Sequence, residues 1–419
     1  MSSTESPSFL KHQSAGFIGS DRRQALRLTV SHHVHIPDKV KLARYARAPE
    51  LGPRLLFFSG GTALRDLSQT LVHYTHNSIH LITPFDSGGS SAKLRCAFNM
   101  PAVGDIRYRL MALADKSLHG NPEIFRLIAY RLPKNGSRET LVEELQSMIE
   151  GTHALVATVP HPMRRIIRNH LQRFFEEMPD NFDLTGASIG NLILAAGYLE
   201  NRQHLDPVIY IFTNLVRVRG VVRPITSRPL HLGAILANGH VVIGQHLLTG
   251  KEVPPLTARI EKLFLVNDDY LPVNCTIREK VKTFIRQADL ICYPMGSFFT
   301  SVLANLLPRD TGRTIGANHC PKVFIPNTGI DPELIGYDVV AQVEMLLYVL
   351  RKDDSEYIQV RDVLNFVIMD SNDECYQGEV DEERLWELGV RVLRLPLVSA
   401  ASYPYIDHEL LLPVLLSLA

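Results

Sequence analysis

The chain has 419 residues, 45% of them apolar and 21% charged, with a mean hydropathy of +0.01. That is enough apolar matter for a large core, and it excludes disordered and collagen-like chains. Lys plus Arg and Asp plus Glu both number 44, so no net field draws in DNA, RNA or an anionic bilayer, and dedicated nucleic-acid binding is not expected.

The N-terminal sequence MSSTESPSFLKHQSAGF lacks the continuous apolar stretch of a secretory signal, so a cytosolic chain is expected. Leu28, Val30, Val34 and Ile36 follow at even spacing, the pattern of one half-buried strand. The same alternation separates His33 and His35 from His32, which argues against a metal cluster there. From Leu55 the pattern becomes short apolar runs, glycine-rich turns and helical periods, the βαβ rhythm of a parallel sheet covered on both faces. LLFF (55–58) and SIHLITPF (78–85) read as strands, and Leu64, Leu67 and Leu71 mark an amphipathic crossover helix between them.

Helices are expected from Asp105 to about Leu118, over ETLVEELQSMIEG, and over Met163 to Met178, so the middle of the chain is helix-rich. The last of these carries Arg164, Arg165, Arg168, His170 and Arg173, but Glu176 and Glu177 close it, which reads as a solvated face. Further strands are predicted at Val208–Phe212, Leu232–Leu236, Val241–Gly244, Asp289–Tyr293 and Lys322–Pro326, with a hairpin around Asn238-Gly239. Tyr337–Leu350 and Asp407–Leu418 read as helices. The C-terminal apolar run, Leu410 to Leu418, is broken by Pro413 and Ser417 and falls well short of the roughly 20 residues that span a bilayer. The five cysteines, Cys96, Cys275, Cys292, Cys320 and Cys375, form no CxxC pair, which argues against a disulfide framework or a thiolate zinc site. One large α/β domain over 54–419, preceded by an extension over 1–53, is the simplest account.

Ser59, Gly60, Gly61 and Thr62 stand between a buried strand and a helix start, where free N–H groups and the helix dipole favour anions and glycine lets phosphate oxygens approach the main chain. LICYPMGSFFTSVLANLL repeats the arrangement, with Gly296 and Ser297 ending a strand and a helix expected from Phe298. Two such loops suit a diphosphate. Neither is a Walker A loop nor a GxGxxG fingerprint, so neither ATP hydrolysis nor NAD binding is supported; the other reading of each is a tight turn that binds nothing. PFDSGGSSAKLR adds Asp86 as a candidate magnesium ligand, serines for phosphate oxygens, and Lys93 and Arg95, with Arg107 further on, to neutralise charge.

The succession FSGGTAL, ITPFDSGGSSAKLR, PAVGDIRYRLMALAD, TGASIGNLILAA (185–196), ADLICYPMGSFFTSVLANLL and VFIPN (323–327) resembles the CofD and YvcK family, from Leu55 nearly to the C-terminus. The GGSS and LANLL wording is nearer the YvcK branch, and nearer still to the CofD-like proteins of the GAK gene system. The resemblance implies a doubly wound, mostly parallel Rossmann-like sheet with helices on both faces and a helix-rich insertion, binding a nucleotide diphosphate across its strand ends. CofD-type members are transferases that move a phospholactyl-type group from a guanosine diphosphate-linked donor to a deazaflavin alcohol, with magnesium; YvcK-type members look like nucleotide-sugar-binding regulators. A homodimer is compatible with either.

Ligand roles are carried over to Gly60, Gly61, Thr62, Gly88, Gly89, Ser90, Asp105, Arg107, Gly190, Asn191, Gly296, Ser297 and Asn327, and the metal role to Asp86. The chain departs from the family pattern in having Ser87 after Asp86 where a second aspartate is usual, Tyr108 after GDIR, Pro294 and Met295 before the second glycine loop, and Gln245 in place of a glutamate. No general base is identified.

Overall fold

The computed structural model describes residues 33–117, 120–250 and 253–419. The chain divides into two units, Met1–Val34 and His35–Ala419, and the second holds every helix and strand of the described residues. Val34 to Ile36 carries no strand, and the rest of the strand predicted there lies outside the described residues, as does His32.

Seven strands form one wholly parallel sheet: β1 (Leu55–Ser59), β2 (Ile79–Ile82), β3 (Val221–Pro224), β7 (Leu290–Tyr293), β8 (Lys322–Phe324), β9 (Phe366–Asp370) and β10 (Arg391–Leu395), in the order 10-9-8-7-1-2-3. A small antiparallel sheet, β4 (His231–Leu236) between β5 (Val241–Ile243) and β6 (Ile260–Val266), is appended. The β4–β5 hairpin turns where it is predicted, with Gly239 at φ +82°.

Burial on both faces explains why β1 is apolar without alternation. Leu56 and Phe58 enter one core with Val343, Leu346 and the apolar side of the small sheet. Leu55 and Phe57 enter another, with Leu64, Leu67 and Leu71 of the crossover helix α2 (Arg65–Leu71) and with Leu411, Leu412 and Leu415 of the C-terminal helix His408–Leu418. That helix also receives α1 (Lys39–Arg47): the Asp38 N–H donates to Ser417 Oγ at 2.8 Å and Lys41 Nζ to the Ala419 carbonyl at 2.8 Å.

Between β2 and β3 lie α3 (Gly89–Phe98), α4 (Gly104–Ala112) and a helical insertion, α5 (Pro122–Ala129), α6 (Arg138–Glu150), α7 (Ala154–Ala157), α8 (Met163–Glu177), α9 (Ile189–Glu200) and α10 (Leu205–Leu215), built round a third core. Two expectations are corrected here. Val208–Phe212 is not a strand but the middle of α10, whose buried Leu205, Val208, Ile209, Phe212 and Leu215 follow helical spacing; a short β-branched run does not distinguish the two by periodicity alone. The helix expected to run from Asp105 to about Leu118 ends at Ala112, after which Ala114 bridges Val218.

Among the described residues, no helix is long and apolar enough to cross a membrane. All five cysteines are free thiols.

Candidate ligand-binding cleft

The strand order reverses at β1, which continues to β2 on one side and has β7 on the other. Loops leaving the carboxyl ends of such a pair diverge and open a crevice, the usual ligand position in open α/β sheets. Here the crevice is a cleft of about 700 Å³, walled by the loops after β1, β2, β7 and β8, by Gln245, His246 and Thr249, and by Tyr405 and Ile406.

The β1 loop is shaped from beneath by Arg109. This side chain has no exposure, and its Nη1 donates to the Leu64 carbonyl (2.8 Å) and Ser68 Oγ (2.5 Å), while Nη2 donates to the carbonyls of Gly60 (3.0 Å) and Gly61 (3.3 Å). A peptide's C=O and N–H point in opposite directions, so drawing the Gly60 and Gly61 carbonyls inward turns the Gly61 and Thr62 amides outward, while the amide after Leu64, that of Arg65, returns to the Thr62 carbonyl (3.0 Å). The helix that follows, α2, starts without a side-chain cap. Burial lowers the Arg109 pKa to about 10, so the guanidinium keeps its charge at neutral pH. Asp105 stands directly behind: a Cβ on Gly61 would meet its Oδ1 at 2.3 Å, and one on Gly60 would meet Ser301 Oγ at 2.5 Å. A side chain at either position would have to displace one of these two polar groups.

The β2 loop is also open. The Gly88 N–H donates to Asp86 Oδ1 (3.1 Å) in an Asx turn, and α3 starts without a side-chain cap. Ser87 leaves this loop to hold His246: the His246 N–H donates to Ser87 Oγ (3.2 Å), which also lies 2.8 Å from His246 Nδ1.

The β7 loop touches the β1 loop, since a Cβ on Gly296 would lie 3.0 Å from that of Ala63. The two glycine loops are thus brought together as expected, but the helix start after the second is not free. The Phe298 N–H donates to Asp331 Oδ2 (3.0 Å), and the N–H groups of Phe299 and Thr300 both donate to Glu333 Oε2 (2.9 Å). Asn327 closes the loop itself, its Oδ1 accepting from the Gly296 N–H (2.7 Å) and its Nδ2 donating to the Gly296 carbonyl (2.7 Å). The expectation that free amides at both helix starts grip a diphosphate is therefore corrected: buried carboxylates from a later loop occupy the second set. The open partner of the β1 loop is the β2 loop instead. Glu333 has its pKa pushed up to about 8 by burial and by the charge of Asp331.

Gly60, Gly61, Thr62, Asp86, Gly88, Asp105, Gly296, Ser297 and Asn327 line the cleft; Gly89, Ser90, Arg107, Gly190 and Asn191 do not. The latter group includes a separate knot in which Arg107 Nε donates to Asn191 Oδ1 (2.9 Å), Asn191 Nδ2 donates to Ser90 Oγ (3.2 Å), and Gly190 makes room for the Arg107 stem. Lys93 pairs with Asp183 at 2.6 Å, and Arg95 donates to the carbonyls of Pro84 and Leu230. The basic residues expected to face phosphate are thus engaged inside the protein.

Sequence reasoning missed Arg109, Asp331, Glu333, His246 and Tyr405. Arg109 alone had a local signal: it interrupts the apolar stripe of Ile106, Leu110 and Leu113 on α4, which marks a charge directed inward.

Among the described residues, no three His, Cys, Asp or Glu side chains come together to hold a metal. Asp86 offers one carboxylate with one oxygen already engaged, a donor set that suits a magnesium ion ligated otherwise by water and phosphate, not a protein cage.

A doubly wound parallel α/β protein with a glycine-loop cleft at its switch point is what the fold and site define. Residues 55–398 match the model of the family described as 2-phospho-L-lactate transferase CofD, and the chain belongs to that family. It is 30% identical over 295 residues to the gluconeogenesis factor of Bacillus subtilis, covering 70% of this chain and 74% of that one. It is 27% identical over 374 residues to a putative gluconeogenesis factor of Thermoanaerobacterium thermosulfurigenes, covering 85% and 94%. A crystal structure of a UPF0052 family member from Bacillus halodurans has the same fold, with a TM-score of 0.62 at 22% identity over 87% of this chain and 99% of that one.

Proposed function

We propose that the chain binds a nucleotide diphosphate-linked donor in this cleft and transfers its phosphate-linked group to an alcohol, as a 2-phospho-L-lactate transferase-like enzyme. The observation that carries the reading is the β1 glycine loop at the switch point, whose Gly60 and Gly61 carbonyls Arg109 holds inward so that the Gly61 and Thr62 amides turn outward. Such donors suit the non-bridging oxygens of a diphosphate, and the adjoining β2 loop brings Asp86 and Gly88 to the same cleft. The family description supports the reaction class.

In such a transfer the acceptor oxygen forms a bond to phosphorus as the bridging oxygen of the donor departs with the nucleoside monophosphate. Catalysis then rests on positioning and on stabilising charge at the phosphoryl oxygens. Preorganised amides provide that stabilisation without reorienting during the reaction. Asp86 would hold a magnesium ion, which, when bound, supplies further charge neutralisation. The proposal is of a cytosolic, small-molecule enzyme.

The test is incubation with a guanosine diphosphate-linked lactyl donor, a deazaflavin alcohol and magnesium, read by mass spectrometry. Formation of the phospholactyl ester together with GMP is expected. No product, alongside tight binding of a UDP-sugar, would overturn the transferase reading.

A further inference from the structure

Met295, Ile330, Tyr405 and Ile406 add apolar side chains to a cleft that the β1, β2, β7 and β8 loops line largely with polar and glycine residues. Tyr405 is 65% exposed and Ile330 86% exposed. Single exposed apolar side chains are ordinary; two large ones beside the same polar cleft are a feature of that cleft.

The Tyr405 ring is held in place. Gly329 packs against its Cδ1–Cε1 side, where a Cβ would meet Cε1 at 2.6 Å and Cδ1 at 3.0 Å. Its loop is fixed by the main chain: the Tyr405 N–H donates to the Ser402 carbonyl (2.8 Å), the Tyr403 N–H to the Ser399 carbonyl (3.0 Å), and the Asp407 N–H to the Leu397 carbonyl (2.7 Å). Asp370 Oδ2 anchors the start of the same segment by accepting from the N–H groups of Leu397 (2.6 Å) and Val398 (2.7 Å). An aromatic ring on a main chain fixed in this way and exposed to the cleft is available for stacking, because little backbone freedom is lost when a second ring covers it.

We propose that Tyr405, packed against Gly329 and flanked by Ile330, is a stacking platform for a planar heteroaromatic ring of the cleft's ligand. The inference rests on the nucleotide-diphosphate reading and deepens it. The ring is either the base of the donor or the ring system of the acceptor, and both present the same π face.

The test is equilibrium titration of wild type, Tyr405→Ala and Tyr405→Phe with three probes: GDP, inorganic pyrophosphate and a deazaflavin alcohol. Stacking on an aromatic side chain contributes enough that Tyr405→Ala should weaken the affected probe about 10-fold or more, while pyrophosphate binding stays unchanged and Tyr405→Phe restores affinity. Loss confined to GDP places the base on the platform; loss confined to the deazaflavin places the acceptor there. Unchanged affinity for both, or an equal loss for pyrophosphate, overturns the platform while leaving the nucleotide reading intact. Wild-type protein that binds none of the three overturns both.

Discussion

At Gly61 the space for a side chain is already taken by Asp105, whose Oδ1 lies 2.3 Å from where a Cβ would stand. A valine there must push either Asp105 or the loop, and the loop is the part that bears the outward amides. Gly61→Val is expected to lower GDP affinity roughly 100-fold in calorimetry, as several charge-assisted amide contacts are lost together. The thermal unfolding midpoint should stay within a few degrees, because the change lies at a cleft surface and not in a core. Undiminished affinity would remove the β1 loop from the binding site. Arg109 shows the converse case, a residue that no ligand needs to touch and on which the loop's conformation depends. Its hydrogen bonds to the loop and to Ser68 satisfy the two terminal nitrogens of a guanidinium that has no exposure, while Nε is left without a partner among the described residues.

The element after the second glycine loop begins as a π-helical turn, Phe298–Leu303, in which the Val302 N–H reaches the Ser297 carbonyl at 3.2 Å. Widening of this kind recurs at functional sites. Its leading amides are satisfied by Asp331 and Glu333, and Thr300 Oγ1 also donates to Glu333 Oε1 at 2.5 Å. Burial, reinforced by the Asp331 charge, raises the Glu333 pKa from its ordinary 4.5 to about 8, so the folded protein retains a proton that the unfolded chain releases. The stability associated with that proton is present in full below pH 4.5 and is lost as the pH rises toward 8. Glu333→Gln keeps an amide oxygen for Phe299 and Thr300 but cannot ionise. Its urea unfolding midpoint should fall less steeply than that of the wild type between pH 5 and 8. Parallel profiles for the two proteins would show that Glu333 does not titrate in this window.

Over the whole molecule, three hydrophobic cores divide the labour. The faces of the parallel sheet build two of them and set the cleft, whereas the insertion builds its own around α9, where ten residues from Ile189 to Tyr198 are buried. Close approach of α9 and α10 depends on Gly197, where a Cβ would meet Val208 Cγ2 at 2.2 Å. Leu192→Ala leaves a cavity in that third core and should destabilise the protein by about 2–5 kcal/mol in denaturant unfolding. GDP affinity of the folded fraction should fall as well, since the same cluster takes in Ile106 and Leu110 of α4, the helix that carries Arg109 beneath the β1 loop; unchanged affinity would show that the cavity is not transmitted to the loop.

The sequence by itself determined the strands and loops whose signals are local. LLFF is apolar because both faces of β1 are covered, SGGT follows as a glycine turn from strand to helix, and Asn238-Gly239 makes its hairpin from adjacent residues alone. The short β3 and the mixed β10 carry no comparable local pattern, β9 with its FVIM run does, and the VIYIF run of α10 was ambiguous for want of length. Only the tertiary structure decided which amides are open. Phe298, Phe299 and Thr300 receive their acceptors from residues more than 30 positions later, and Tyr405 reaches the cleft only because β8 lies beside β7. Strand order brings such partners together, and a chain read from neighbour to neighbour contains no record of it. The physical reason is that glycine spacing expresses local sterics, whereas satisfaction of a buried donor depends on whatever the fold places within about 3 Å of it.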